Sequence, residues 1–254
     1  MKTAIEALVI AFSMYSKIPM PGMKWEEKGM KYAMCFFPVI GLVEGLIVYL
    51  VGSLLWKLGV SRLLFGCVMA VLPLGITGGI HMDGFLDTAD AISSYGEKEK
   101  RLEILKDPHT GAFAIICGIV YMVLSVGFWN ELSRELLPVA ALSFCMSRAL
   151  SGFAVMTFPK AKKDGLVSTF RDAAGEQTVR ICMVIYAVLI LVCACGVSVI
   201  GAAMMVCACA ITYGYHYVNC MKRFGGITGD LAGYFLQINE LVVLIALVSS
   251  QYLG

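Results

Sequence analysis

The chain has 254 residues, of which 59% are hydrophobic and 15% are charged, and its mean hydropathy is +0.81. Soluble domains carry about 25% charged residues, so this composition excludes a soluble globular protein. The formal net charge of +2 says little, because the distribution of charge along a membrane protein matters more than its sum. We therefore predict an all-α, polytopic membrane bundle that forms a single domain over residues 1–254.

The first apolar segment covers residues 3–16 and is 14 residues long. A membrane-spanning helix needs about 20 residues, so we predict a short interfacial or re-entrant helix here. Pro19 and Pro21 end it, because proline disfavours helix at the residue before it. The segment lacks a basic start and a small-residue cleavage site, so no cleaved signal peptide is expected.

Seven longer apolar segments follow, and each is a candidate membrane span. They cover residues 32–56, 63–80, 112–129, 136–158, 181–195, 199–217 and 231–253. The connection at 196–201 is so short that the fifth and sixth spans must form a tight hairpin. We expect about seven transmembrane helices.

The lysine and arginine residues predict an orientation, because cytoplasmic loops are enriched in both. If residues 17–31 face the cytoplasm and the spans alternate, the cytoplasmic loops hold 15 of these residues and the outer loops hold 3. The polar loops 81–111, 159–180 and 218–230 then all face the cytoplasm. Any chemistry is therefore expected on that side of the membrane.

Three aspartates, Asp83, Asp87 and Asp90, follow the second apolar segment within eight residues. On a helix, this spacing places their carboxylates on one stripe. Like charges repel unless a cation lies between them, and hard divalent cations such as Mg²⁺ or Mn²⁺ prefer oxygen ligands. The stripe predicts a divalent-cation site. The alternative is a solvated helix start, where acidic residues interact favourably with the helix dipole.

The stretch GGIHMD at 78–83 has a counterpart in GGITGD at 225–230, and both stand at a predicted cytoplasmic boundary. A helical stripe continues from the second copy into the last span: Asp230, Gly233, Gln237 and Glu240. An ionisable residue inside a span is costly and is a functional candidate by default. We predict that the two acidic helices converge on one metal site, although a chance similarity is the alternative in a glycine-rich chain.

Arg148 lies inside the fourth predicted span, about ten residues from its cytoplasmic end. It is too deep to reach the interface easily, so we expect it to face the bundle and pair with a carboxylate or a substrate phosphate. Glu44 in the first span is a weaker case of the same kind.

His81 stands two residues before Asp83, which suits a general base or a hydrogen-bond donor to substrate. The segment 101–107 is amphipathic, and either Arg101 or Lys106 is a candidate to meet a diphosphate. The alternative is a solvated helix on the membrane surface.

Ten cysteines are present, and Cys193/Cys195 and Cys207/Cys209 have a spacing seen in metal ligands. Both pairs lie in apolar runs without a nearby histidine or acid, so packing between helices is the better interpretation. No dinucleotide fingerprint, P-loop, nucleophile elbow or nucleic-acid-binding stripe is present in the sequence. An acidic membrane-boundary site beside basic loops suits metal-assisted phosphoryl transfer.

Several motifs resemble the cobalamin synthase family of ribazoletransferases, in order along almost the whole chain. They are SKIPMP (16–21), FPVIGLVEG (37–45), GGIHMDGFLDTAD (78–90), RLEILKDPHTGAF (101–113), MSR (146–148) and FGGITGD (224–230). The resemblance implies a polytopic inner-membrane enzyme that needs Mg²⁺. Its expected reaction joins adenosylcobinamide-GDP to α-ribazole, or to α-ribazole 5′-phosphate, and releases GMP.

The resemblance also implies roles for particular residues. Asp83, Asp87 and Asp90 would bind the metal, and His81 and Asp230 become catalytic candidates. Lys106, Asp107, Arg148 and Glu240 become candidates for substrate binding. Three positions depart from the family pattern: Ala91, Pro108-His109 and Gln237.

Two other functions remain open at this stage. A CDP-alcohol phosphotransferase of lipid synthesis also has acid-rich helices, although Phe85-Leu86 here departs from its pattern. A cation-coupled transporter would place its polar residues near the membrane midplane, whereas the acidic motifs here cluster on one side. The lipid bilayer is an expected partner, nucleic acid is not, and a homo-oligomer is an open expectation.

Overall fold

The computed structural model describes residues 2–22, 26–161 and 175–252 of the chain. Within these ranges every regular element is a helix, apart from one isolated bridge between Lys160 and Ile227. The α-helices, in chain order, are α1 Lys2–Tyr15, α2 Glu27–Ala33, α3 Phe37–Lys57, α4 Arg62–Thr77, α5 Ile80–Ser93, α6 Lys98–Ile104, α7 Ala112–Glu131, α8 Leu137–Thr157, α9 Glu176–Val197, α10 Val199–Asn219 and α11 Gly229–Ser250.

Six helices in the described part of the chain are long and apolar enough to cross a membrane. The number becomes seven if α4 and α5 are counted together as one broken span. The predicted all-α polytopic bundle is therefore confirmed, and the protein is a multi-pass membrane protein. Helix α1 is helical as predicted and, with 14 residues, is too short to span.

The helix boundaries follow local signals in the sequence. Pro38 and Pro138 lie in the first turns of α3 and α8, where a missing N–H costs nothing. Ser198 separates α9 from α10 and accepts a hydrogen bond from the N–H of Gly201 at 3.0 Å. This single-residue connection confirms the predicted hairpin. Thr228 caps α11 in the same way, through the N–H of Leu231 at 3.2 Å.

The second predicted span, 63–80, is wrong at its end. Helix α4 ends at Thr77, and α5 leaves it at an angle of 99°. Gly78 and Gly79 make the turn with φ values of 68° and 77°, a left-handed conformation that side chains disfavour. The chain therefore bends just before the aspartate stripe, so α5 takes a direction of its own.

Helix α8 lies at the centre of the bundle and packs against α3, α9 and α11. Its contact with α3 is made by two glycines: a methyl group at Gly41 would overlap the carbonyl oxygen of Phe144, and one at Gly45 that of Ala141. Small residues let two membrane helices approach to backbone contact. The outward faces of α7, α9 and α10 carry exposed aliphatic side chains such as Val123, Val192 and Ile211, as expected for lipid contact.

Gly45→Ala is expected to destabilise the bundle by about 1–3 kcal/mol, because the new methyl group forces α3 away from α8. The measurement is thermal unfolding of the purified protein in detergent. Gly127→Ala on α7 is the matched control, because nothing lies within 4 Å of its added methyl group. An equal melting temperature for the two variants would contradict the proposed backbone contact.

Candidate active site

The two GGIxxD segments meet where α5 packs against the start of α11. An added methyl group at Gly84 would lie 2.8 Å from the carbonyl oxygen of Asp230, and one at Gly233 would lie 3.2 Å from that of His81. Gly84 thus faces the first turn of α11, while His81 faces its second, so the two helices run antiparallel. The two acidic helices therefore pack together as predicted, while their convergence on one metal site stays a prediction.

Asp83, Asp87 and Asp90 lie on successive turns of α5, as their spacing predicts, and Asp230 lies in the first turn of α11. We call these four residues the aspartate cluster. The later part of α5 runs beside the first half of α7 and packs against it. Burial, followed by the charges of Asp83, Asp230 and Asp90, raises the pKa of Asp87 to about 6.

The cluster offers only carboxylate oxygens, which are the donors that Mg²⁺ and other hard cations prefer. A bound cation would also offset the repulsion that raises the pKa of Asp87. Among the described residues, no three histidine, cysteine or acidic side chains already converge as a preformed metal centre. The carboxylate donors themselves are of the type that suits a divalent cation. The predicted metal role of Asp83, Asp87 and Asp90 stays a prediction.

Gly111, the residue before α7, lies directly against the carboxylate of Asp90. A methyl group at Gly111 would overlap both carboxylate oxygens. The position of Asp90 thus depends on the absence of a side chain in a loop 21 residues further along the chain. Sequence reasoning missed Gly111 as a site residue, and its only signal was a glycine placed immediately before an apolar span.

The amphipathic segment 101–107 is helical only in its first part, because α6 covers Lys98–Ile104. Lys106 and Asp107 lie in the exposed loop between the end of α6 and Pro108, a residue that cannot continue a helix. The carboxylate of Asp107 accepts the backbone N–H of His109 at 2.9 Å and lies 2.7 Å from its ring Nδ1. These bonds lower the pKa of Asp107 and engage it within its own loop. A role for Lys106 and Asp107 in substrate binding stays a prediction.

Basic residues lie on the segments that flank the aspartate cluster. Helix α6 packs against both α5 and the π-helical turn Cys220–Phe224, which carries Lys222 and Arg223. The Nε atom of Arg101 on α6 is buried and has no hydrogen-bond partner among the described residues. The ammonium of Lys98 lies 3.8 Å from the position of a methyl group at Gly225. We call Lys98, Arg101, Lys222 and Arg223 the basic border. Their positive charge could offset the charge of a phosphate group held at the cluster.

His81 lies in the first turn of α5 and is only 3% exposed. Its ring lies 6.3 Å from that of Tyr15 and 6.0 Å from that of Phe37, measured between centroids. Its Nε2 atom has no hydrogen-bond partner among the described residues. The ring is thus enclosed between α1 and α3, whereas Asp230 is partly exposed. The predicted catalytic role of His81 stays a prediction.

Arg148 on α8 is fully buried, and it pairs with two carboxylates. Its Nη1 donates to Glu240 Oε1 on α11 at 2.7 Å and to the carbonyl oxygen of Phe144 at 3.0 Å, while Nη2 donates to Glu44 Oε2 on α3. We call Glu44, Arg148 and Glu240 the ion triad. The predicted pairing of Arg148 with a carboxylate is confirmed. The predicted contact of Arg148 and Glu240 with substrate stays a prediction, and the structure gives each a partner inside the protein.

Arg148→Ala is expected to lower the free energy of unfolding by about 3–5 kcal/mol, because it leaves two carboxylates buried without their cation. Thermal unfolding in detergent measures this loss. Arg180→Ala is the control, since Arg180 lies 3.9 Å from Glu176 in a half-exposed pair, which is worth about 0–1 kcal/mol. Similar melting temperatures for the two variants would show that the ion triad does not stabilise the bundle.

Curated relatives cover nearly the whole chain, whereas no solved structure matches it significantly. An adenosylcobinamide-GDP ribazoletransferase of Lachnoclostridium phytofermentans is 46% identical, over 97% of this chain and 95% of its own length. Proteins of the same name from Clostridium botulinum and Pseudomonas entomophila are 33% and 30% identical. These two alignments cover 97% and 94% of this chain, and 98% and 96% of the relatives.

The model of one protein family, described as cobalamin-5-phosphate synthase, matches residues 7–248. This match includes the aspartate cluster, the basic border and all three residues of the ion triad. It agrees with the resemblance carried by the sequence motifs, and it reaches into every candidate span. The chain belongs to the cobalamin-5-phosphate synthase family.

Proposed function

We propose that the protein is a membrane-embedded adenosylcobinamide-GDP ribazoletransferase. It joins adenosylcobinamide-GDP to α-ribazole, or to α-ribazole 5′-phosphate, and forms cobalamin or its 5′-phosphate with release of GMP. The convergence of the two GGIxxD segments in one aspartate cluster is the structural observation that supports it. Family membership supplies the identity of the substrates.

In this proposal Asp83, Asp87 and Asp90 would be the residues that hold Mg²⁺ when adenosylcobinamide-GDP is bound. Bound Mg²⁺ would withdraw negative charge from the phosphates and favour departure of GMP. The basic border supplies further positive charge, with Arg101 as its most enclosed member. Arginine suits this task, because its planar donors match phosphate oxygens in pairs.

The reaction forms a bond between a ribose oxygen of α-ribazole and the phosphorus on the cobinamide side, while the bond from that phosphorus to GMP breaks. The hydroxyl proton needs an acceptor close to the reacting phosphorus. Asp230 is the better placed of the two catalytic candidates, because it lies in the aspartate cluster and is partly exposed. His81 is enclosed one turn deeper, so we assign it to orienting the start of α5.

We also propose that the site faces the cytoplasm from the inner membrane. The excess of basic residues in the loops at this end supports that orientation. Four of them, Lys24, Lys162, Lys163 and Arg171, lie outside the described residues, as does most of the predicted loop 159–180. A membrane-impermeant maleimide should label Tyr95→Cys only in inside-out vesicles and Leu58→Cys only in right-side-out vesicles, with the labelled peptides identified by mass spectrometry. The reverse pattern would overturn the orientation.

The purified protein is expected to release GMP from adenosylcobinamide-GDP only when both Mg²⁺ and α-ribazole are present. Asp87→Asn should lower kcat by about 100-fold or more, because a metal ligand contributes several kcal/mol to transition-state stabilisation. Glu103→Gln is the control, since Glu103 is an exposed acid that pairs with Lys100 at 3.3 Å. Transfer from CDP-diacylglycerol instead of adenosylcobinamide-GDP would contradict the proposed reaction. Full activity of Asp87→Asn would contradict the assignment of Asp87 as a metal ligand.

Gly111→Ala is expected to raise the Mg²⁺ concentration for half-maximal activity by about 10-fold, because the methyl group displaces the Asp90 carboxylate. Titration of Mg²⁺ at saturating substrates measures the shift. Gly127→Ala, whose added methyl group meets open space, should leave the titration unchanged. An unchanged titration for Gly111→Ala would remove Asp90 from the metal site.

A further inference from the structure

The ion triad holds more charge than a simple cross-link between helices needs. Two carboxylates face one guanidinium, and the side chains of Glu44, Arg148 and Glu240 are 1%, 0% and 7% exposed. Glu44 Oε1 and Arg148 Nε are buried without a hydrogen-bond partner among the described residues. Apolar side chains of similar volume stabilise a buried position as well or better. Stability alone therefore does not explain why three spanning helices carry these groups.

The triad is connected to the aspartate cluster through α11. Glu240 and Asp230 are ten residues apart on this helix, which is about 15 Å along its axis. Gly233 and Gln237 lie between them on the same face, and Gly233 contacts the backbone of His81 on α5. One face of α11 is thus held by the triad at one end and pressed against α5 at the other. A rotation of α11 at Glu240 would move Asp230 relative to Asp83 and Gly84.

The opposite side of α11 has a separate anchor. Asn239 donates a hydrogen bond to the hydroxyl of Thr212 on α10 at 2.7 Å. That bond holds α11 to α10 but does not reach the triad or the α5 contact. Among the described residues, Asn239 and Glu240 thus make buried polar contacts at one depth of α11, and the contact of Glu240 lies on the face that leads to the cluster.

Glu44 lies on a part of α3 that is packed tightly against α8. It lies between Gly41 and Gly45, the two glycines through which α3 makes backbone contact with α8. Its carboxylate occupies Nη2 of Arg148, which leaves Nη1 directed at Glu240. Glu44 and the carbonyl oxygen of Phe144 therefore both hold the guanidinium that pairs with Glu240.

We propose that Glu44 is a positioning residue for the transferase reaction, which acts through Arg148 and Glu240 on the rotational setting of α11 and so on Asp230. The proposal rests on the proposed function. Glu44 contacts no substrate in this arrangement. It affects the chemical step, which requires Asp230 to lie in the correct position relative to the aspartates of α5. The substitution of Glu44 should therefore change kcat rather than the KM of either substrate.

The test compares three variants at position 44 and one control, with each rate expressed per folded molecule after size-exclusion chromatography in detergent. Glu44→Met keeps the volume and removes the bond to Arg148, and it is expected to lower kcat by about 100-fold with both KM values changed less than about 3-fold. Glu44→Gln keeps an acceptor oxygen and should restore kcat to within about 3-fold of the wild type. Glu44→Ala also removes the bond to Arg148, and its kcat serves as the test if the Met variant does not fold.

The control is Thr212→Val, which removes the hydroxyl partner of Asn239 on α10 and should leave kcat per folded molecule unchanged. Combining Glu44→Met with Glu240→Gln should lower kcat no further than the stronger single change, because both act through one contact. Additive losses, or an unchanged kcat for Glu44→Met and Glu44→Ala, would overturn the proposal. Absence of ribazoletransferase activity in the wild-type protein would instead overturn the proposed function.

Discussion

The rest of the structure depends on the pairing of a guanidinium with two carboxylates inside the membrane bundle. A charge at that depth is costly unless it is paired within the protein. Arg148 meets this constraint by taking Glu44 from α3 and Glu240 from α11, so three spanning helices share one ion triad. The short reach of these side chains requires α3 and α8 to lie close together. Gly41 and Gly45 make that approach possible.

The acidic residues of the site and the bundle core fall into two groups, according to their depth in the bundle. In the core of the bundle Glu44 and Glu240 are matched to a cation of the protein itself. Where α5 packs against α11, Asp83, Asp87, Asp90 and Asp230 lie near one another, and burial together with the neighbouring carboxylates raises the pKa of Asp87. An accumulation of carboxylates is useful where an external cation binds. A divalent cation bound by these carboxylates would offset their mutual repulsion.

Backbone contact, rather than side-chain packing, sets the geometry of the site. Gly84 and Gly233 let α5 and α11 touch, Gly78 and Gly79 bend the chain before α5, and Gly111 makes room for the carboxylate of Asp90. The glycines of the family motifs thus have particular steric tasks. The acidic residues could not take their positions if these glycines carried side chains.

The sequence by itself determined six of the seven predicted spans, the hairpin between α9 and α10, the helical stripe of aspartates and the family. These features depend on the length of apolar runs, on helical periodicity and on short motifs, which are local properties. Only the tertiary structure decided that α5 turns 99° from α4, that Asp90 lies against Gly111, that His81 is enclosed and that Glu44 completes the pairing of Arg148. The physical reason is that each of these depends on how helices distant in the chain pack together. Glu44 and Arg148 are 104 residues apart, and no local pattern records such a partner.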